Sequence, residues 1–281
     1  MRRLTDHAGD LRIDTGIVYV DLDGTLFGPG GSLFAAETGG VTTSAGDALG
    51  RLAHAGVPVV PMSGRTESQV REVARAIGAD GFIAELGGIV TRDGTVERRY
   101  GDAPAGGPPV EAMLRSGAPG FLLERYLGRL VPHRPWQDLR REVTLLFRGH
   151  LDLAEARGLL AEARYDWIVL SDNGIVRRRF PDLDVAEVHL YHLTPRAVSK
   201  AEAVLADLDA RGIARERAVV IGDSPADVEA GATLGGSFLV ANGAWAAEAG
   251  RGDATPGKTA YVTEGSYGDG FAEVVTALLP G

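Results

Sequence analysis

Unbroken apolar runs, each ended by Gly, Ser or Asp, recur along the chain and alternate with amphipathic stretches. Ile17-Val18-Tyr19-Val20 comes first, Val57 to Met62 follows, another run ends at Ile83-Ala84, and Ala218-Val219-Val220-Ile221 stands near the C-terminal end. Short runs without polar alternation mark strands buried on both faces, as in a parallel sheet. Between the second and third runs, Val70, Val73, Ala74 and Ile77 recur at helical spacing. Thr66 is the better candidate for the cap of that helix, with Ser63 the alternative. Strand and helix patterns alternating in this way predict an α/β fold: a Rossmann-like parallel-sheet core with crossover helices.

The pattern changes at Gly88. Ile89-Val90-Thr91 and Val96-Glu97-Arg98 flank Asp93-Gly94, a hairpin signal, and 101–109 is a Gly-, Ala- and Pro-rich connector. A broken helical stretch is expected over 110–130, a strand over 143–147 and a helix over 153–163. Two further strands, 167–170 and 175–179, are expected to be joined by a turn at Ser171-Asp172-Asn173-Gly174. The segment 88–194 therefore reads as an inserted α/β domain, returning through a strand over 187–192. Residues 1–87 and 195–281 form the core, with later strands near 218, 237 and 260.

Candidate chemistry lies just beyond the buried strands. Asp21 and Asp23 follow the first run in Asp21-Leu22-Asp23-Gly24-Thr25-Leu26. Residues two apart on an extended segment share a face, and ligands of open α/β sheets bind beyond the carboxyl ends of the strands. Ser63-Gly64-Arg65-Thr66 follows the second run, Lys200 follows a Thr194-Pro195 break, and Gly222-Asp223-Ser224-Pro225-Ala226-Asp227 follows the fourth. In this order the four segments resemble the motifs of the haloacid dehalogenase-like (HAD) superfamily of aspartate-nucleophile phosphohydrolases. The long insertion resembles the cap of its subclass IIB, the Cof-type and sucrose-phosphate-phosphatase-like enzymes. Ile83-Ala84-Glu85 before Gly87-Gly88, Asn242 and Asp269-Gly270 are similar too. Ala226 and Leu86 stand where such relatives usually carry Asn.

The resemblance implies a Mg2+-dependent phosphatase. A phosphate monoester is a sluggish, doubly charged electrophile, so its oxygens must be neutralised while an in-line nucleophile is presented. Asp21 would be that nucleophile, forming an aspartyl phosphate. Asp23 would alternate between general acid and general base. Lys200 would hold Asp21 and the phosphoryl group, and Ser63 would donate to a phosphate oxygen. The implied metal ligands are the Asp21 carboxylate, the Asp23 carbonyl and Asp223, with Asp227 in support. Asp223 and Asp227 also fit a plain reading, as acids at a helix N-terminus.

The inserted domain is expected to close over the metal site and to select the non-phosphate part of the substrate. Thr25, Gly64, Arg65, Asn242 and Arg177 are the substrate-binding candidates. Arg148, Asn173, Arg179, His189 and His192 are further residues of interest in the insertion. Arg177 and Arg179 share one face, which reads equally as a charged sheet edge, and Asn242 equally as a turn residue.

Composition narrows the partners. Over 281 residues the net charge is −9, which argues against nucleic acid or an anionic membrane and does not prevent binding of the small phosphorylated metabolite that the resemblance implies. There is no cysteine, so neither disulfides nor thiolate metal sites enter. The opening residues lack the apolar core of a signal peptide and no apolar run is long enough for a bilayer, so a cytoplasmic enzyme is the expectation. The resemblance of the insertion to such caps implies a sugar phosphate or sugar-acid phosphate as the substrate. A phosphomutase on the same core and a catalytically silent binding or regulatory protein are the alternatives. A dinucleotide site is disfavoured, because the first strand does not lead into a GxGxxG turn.

Overall fold

A computed structural model describes residues 1–9, 11, 13–134, 140–176, 180–243 and 260–279. The chain divides into two compact units, Met1–Glu97 with Ser199–Gly281, and Arg98–Val198.

The larger unit is built on a nine-stranded sheet. Its strands are β1 (Arg2–Arg3), β2 (Ile17–Asp21), β3 (Val59–Met62), β4 (Gly81–Ala84), β5 (Ile89–Arg92), β6 (Thr95–Arg98), β11 (Ala218–Gly222), β12 (Gly236–Leu239) and β13 (Ala260–Val262), in the spatial order β1-β13-β12-β11-β2-β3-β4-β5-β6. From β1 to β4 every pairing is parallel, and β5 joins antiparallel. β2 lies centrally, and all five of its residues are buried. The apolar runs are apolar throughout because the sheet is covered on both faces.

The hairpin at 89–98 corrects the expected boundary. Ile89 pairs with Ala84 and Arg92 with Gly81, so this hairpin extends the large sheet, and the smaller unit begins near Arg98 instead of Gly88. Asp93 and Gly94 both have positive φ (46° and 78°), the backbone of a type I′ turn, whose twist matches the flanking strands.

Helices α1 (Ser44–His54), α2 (Glu67–Ile77), α6 (Lys200–Arg211), α7 (Pro225–Gly231) and α8 (Tyr267–Leu278) belong to this unit. Thr66 caps α2 in a capping box with Gln69, as the spacing predicts. Helix α6 is tied to β2 at two levels. The Tyr19 hydroxyl donates to Asp207 Oδ2 (2.8 Å), and Lys200 Nζ donates to Asp21 Oδ1 (2.5 Å). Tyr19 and Asp21 share a strand face, while positions 200 and 207 are two helical turns apart on one helix face. Asp207 is fully buried and also accepts from Arg92 Nε and Arg211 Nε, both at 2.7 Å, so its charge is compensated. Burial and the adjacent Asp207 carboxylate push the Tyr19 phenol well above its ordinary pKa, keeping it a neutral donor.

The smaller unit has a four-stranded antiparallel sheet, ordered β7 (Leu130–Pro132), β8 (Leu145–Gly149), β10 (His189–Pro195) and β9 (Ile168–Ile175). Helices α3 (Pro109–Ser116), α4 (Ala118–Arg125) and α5 (Leu153–Glu162) complete it, with Gly117 at φ 83° making the break between α3 and α4. Leu122, Tyr126, Phe147, Leu160, Leu170, Tyr191 and Leu193 form its core. The expected turn at 171–174 is absent: β9 runs unbroken from Ile168 to Ile175. Its Asp-Asn-Gly sequence makes a bulge instead. His189 pairs with Ile175 and Tyr191 with Asp172, so Asn173 and Gly174 together face the single residue Leu190. Of the expected strand 175–179, residues 177–179 lie outside the described residues.

Candidate active site

The site assembles where β2, β3 and β11 end. Asp21 is the last residue of β2, and the chain then folds back tightly: Leu26 N–H donates to Asp21 O, Phe27 N–H to Leu22 O, and Gly24 N–H to Phe27 O. Gly24 is required there. Its φ is 93°, and a Cβ at that position would overlap the Asp223 carboxylate. A side chain at position 24 would therefore displace the Asp223 carboxylate.

Three carboxylates converge. Ligand atoms of Asp21, Asp223 and Asp227 lie within 4.8 Å of one another, and Lys200 Nζ is placed among them, 2.5 Å from Asp21 Oδ1 and 2.7 Å from Asp227 Oδ1. Asp21, Lys200 and Asp227 are all buried. The second oxygen of Asp227 accepts from Ser224 Oγ (2.6 Å), Ser224 N (3.1 Å) and Asp223 N (3.3 Å). Asp227 is thus both the first-turn acid of α7, as in the plain capping reading, and a partner of Lys200.

One ammonium does not balance three carboxylates. Burial pushes the Asp21 carboxyl well above its ordinary value; Lys200 opposes this, while Asp227 and Asp223 add to it. Burial, and then Asp227, likewise push Asp223 up to about 7. For Lys200 burial works against the ammonium, but Asp21 and Asp227 outweigh it and hold the pKa above the ordinary lysine value. An all-oxygen donor set with surplus negative charge, buried at Asp21 and Asp227 and half-buried at Asp223, suits a hard divalent cation, which would relieve that repulsion.

The remaining candidates are distributed as follows. Arg65 forms a two-point ion pair with Asp23, through Nε to Oδ2 at 2.7 Å and through Nη2 to Oδ1, and its guanidinium lies 5.3 Å from the Phe27 ring centroid. Sequence reasoning named both residues without seeing that they pair. Ser63 is buried, and its Oγ accepts from Arg65 N–H (3.1 Å). Gly64 is the half-buried link between them. Thr25 is wholly buried, and its hydroxyl has no hydrogen-bond partner among the described residues. Asn242 donates to Gly24 O (2.8 Å) and accepts from Tyr267 N–H (2.8 Å), so its amide holds the Asp21 loop to the start of α8. Arg177 and Arg179 lie outside the described residues.

No family model matches the chain. A phosphoglycolate phosphatase from Halorubrum lacusprofundi is 33% identical over 224 residues, which are 79% of this chain and 83% of that protein. The chain belongs to the HAD-like phosphatases. It is a phosphoric monoester hydrolase, with the Cof-type and sucrose-phosphate-phosphatase-like architecture of the superfamily's subclass IIB. A second phosphoglycolate phosphatase, from Methanosarcina acetivorans, is 28% identical over 79% of this chain and 83% of its own. Among solved structures, the Synechocystis sucrose-phosphatase, in complex with sucrose and phosphate, has the same fold. Its TM-score is 0.64 at 13% identity, over 95% of this chain and 98% of that one. So does a haloacid dehalogenase-like hydrolase from Bacteroides thetaiotaomicron, with a TM-score of 0.63 at 16% identity over 94% and 100%.

One feature of this HAD-like phosphatase is not visible in its motifs. Glu85, Leu86 and Gly87 have consecutive positive φ values of 48°, 58° and 106°. This turn docks beside the second motif: Glu85 N–H donates to Arg65 O (2.9 Å) and Leu86 N–H to Ser63 O (3.1 Å). At Gly87 a Cβ would collide with the carbonyl of Ser199, the cap of α6. The turn therefore links the Ser63 loop to the start of the Lys200 helix. Asn tolerates left-handed backbone better than Leu does, so Leu86 holds this turn at a conformational cost that Asn would reduce.

Proposed function

We propose that this protein is a Mg2+-dependent phosphatase of a small phosphorylated acid, acting through an aspartyl phosphate on Asp21. The observation that carries the reading is the contact of Lys200 with both Asp21 and Asp227 beside Asp223, at the ends of β2 and β11. Asp21, Asp223 and Asp227, with the main-chain carbonyl of Asp23, would hold the magnesium. When bound, the cation neutralises phosphate oxygens and the surplus carboxylate charge.

The Asp21 carboxylate attacks phosphorus. Lys200 holds that carboxylate in place and offers positive charge to the phosphoryl oxygens as they gain it in the transition state. Ser63 Oγ, fixed as acceptor of the Arg65 N–H, keeps its proton to donate to a phosphate oxygen. Asp23 protonates the departing alkoxide and then takes a proton from the water that cleaves the acyl phosphate. The Arg65 guanidinium holds the Asp23 carboxylate at two points, so Arg65 is a positioning residue for that acid–base group as well as a candidate contact for a substrate anion. The smaller unit is assigned the selection of the organic part of the substrate.

The relatives named phosphoglycolate phosphatase make a phosphorylated two-carbon hydroxy acid the first substrate to test, ahead of the larger sugar-acid and sugar phosphates. Phosphate release is to be measured across phosphoglycolate, sugar-acid phosphates, sugar phosphates and nucleotides, with Mg2+ or with chelator. Release that requires Mg2+ and is greatest for phosphoglycolate supports the reading. Release indifferent to chelator contradicts the metal role, and preference for a neutral sugar phosphate contradicts the substrate class.

A further inference from the structure

A second constellation lies on the antiparallel sheet of the smaller unit, and the phosphatase chemistry does not use it. His150, Glu187 and His189 each offer a ligand atom, all within 4.8 Å of one another. The topology brings them together. Gly149, the last residue of β8, pairs with His189, the first residue of β10. Gly149 has φ 153° and sits against Arg129 O so closely that no Cβ fits, and the next residue, His150, is fixed by its N–H donating to that same carbonyl (2.9 Å). Glu187 stands two residues before His189 and meets its Nε2 at 2.8 Å.

The bulge in β9 supplies the second observation. Asp172 Oδ1 accepts from Gly174 N–H (2.7 Å), which fixes the carboxylate, and its Oδ2 lies 2.8 Å from His189 Nδ1. A carboxylate on Nδ1 is the outer arrangement that recurs behind metal-ligating imidazoles, and it leaves Nε2, which faces the Glu187 carboxylate, as the atom that would ligate in the tautomer protonated at Nδ1. The Tyr191 ring, two positions along β10, stacks on His189 at 6.0 Å between ring centroids and 17° between planes, and holds the imidazole plane. His150 stands edge-on to His189 with ring centroids 5.7 Å apart. His150 and Glu187 are exposed, so an ion has direct access from solvent.

We propose that His150, His189 and Glu187 form a binding site for a divalent transition-metal ion, Zn2+ in the first instance, with water in the fourth position. Two imidazoles and one carboxylate are a zinc donor set. Tetrahedral coordination at about 2.0–2.1 Å places ligand atoms roughly 3.3 Å apart, which small side-chain rotations reach from the separations present. Mg2+ prefers an oxygen set with several retained waters, so the two sites differ in kind: hard oxygen at Asp21, Asp223 and Asp227, mixed nitrogen and oxygen here.

The test is Zn2+ binding to the full chain by titration calorimetry in excess Mg2+, with Co2+ absorption in the visible as a report on ligand geometry. Wild type is expected to bind one Zn2+ with Mg2+ present and to give intense tetrahedral Co2+ bands. Asp223→Asn is expected to retain both, which separates this site from the catalytic one. His150→Ala and Glu187→Gln, both at exposed positions where the fold does not depend on the side chain, are expected to weaken Zn2+ binding at least tenfold, and His189→Ala to abolish it. Absence of Zn2+ binding by folded wild type overturns the proposal. So does binding that His150→Ala and Glu187→Gln leave unchanged, or binding that disappears in Asp223→Asn.

Discussion

Lys200 Nζ lies 2.5 Å from Asp21 Oδ1, joining the first residue of a helix to the last residue of the central strand. The pair is buried, and the same ammonium serves Asp227 at 2.7 Å. Removing the amine therefore leaves two carboxylates in low dielectric with no cation. Lys200→Met is predicted to lose roughly 3 kcal/mol of stability in chelator near neutral pH, the scale for breaking a buried pair. Turnover with Mg2+ should fall at least about a hundredfold, the scale for a lost preorganised donor. Denaturant melts and steady-state kinetics check the two halves separately.

Asp223 gives the pH dependence. Its folded-state pKa is raised from the ordinary 3.8 to about 7, so between those values the folded protein binds more protons than the unfolded one. Metal-free protein should accordingly lose stability as pH rises through that window, with the full penalty present above about 7. Asp223→Asn removes the penalty. In chelator the variant should melt higher than wild type above neutrality, and the gap should close toward pH 4; thermal melts across pH measure it.

Gly24→Ala tests the packing that brings the carboxylates together. The substitution imposes a left-handed backbone on alanine, at about 1 to 2 kcal/mol, and its methyl displaces the Asp223 carboxylate. Mg2+ affinity, followed by calorimetry, is expected to drop on the order of 10- to 100-fold, as for other disturbances behind a metal ligand.

Leu86→Asn is predicted to stabilise the protein by about 0.5 to 1 kcal/mol, because φ at this position is 58° and Asn pays less than Leu for that conformation. Both hydrogen bonds of the turn to Ser63 and Arg65 are main-chain to main-chain and survive the change. Chemical denaturation of the two proteins decides it.

The parallel sheet and the motif residues at its strand ends were legible because a strand buried on both faces has to be apolar throughout. An acid, serine or glycine placed immediately after such a run falls at the ligand-binding edge. What sequence could not supply were relationships between distant positions. Arg65 and Asp23 were each recognisable, yet their pairing spans 42 positions and depends on β2 and β3 being neighbours. The hairpin at 89–98 was legible as a hairpin, but its membership of the large sheet rests on pairing with β4. Asp172-Asn173-Gly174 misled for a physical reason: the residues that favour a turn also favour a bulge, and register with β10 decides between them. The His150, Glu187 and His189 group follows from a different long-range register, the pairing of Gly149 in β8 with His189 in β10. Among the described residues no helix is long and apolar enough to cross a membrane, in line with the apolar runs being strand-length.

The central claim, that Asp21 carries the phosphoryl group, is tested most directly by rapid acid quench of the wild-type enzyme turning over phosphoglycolate with Mg2+, followed by borohydride reduction and peptide mass spectrometry. The account predicts a reduced acyl phosphate at Asp21, absent without substrate and absent in Asp21→Asn, which should also have lost turnover. An unmodified Asp21 during active turnover, together with Asp21→Asn releasing phosphate at the wild-type rate, would contradict it.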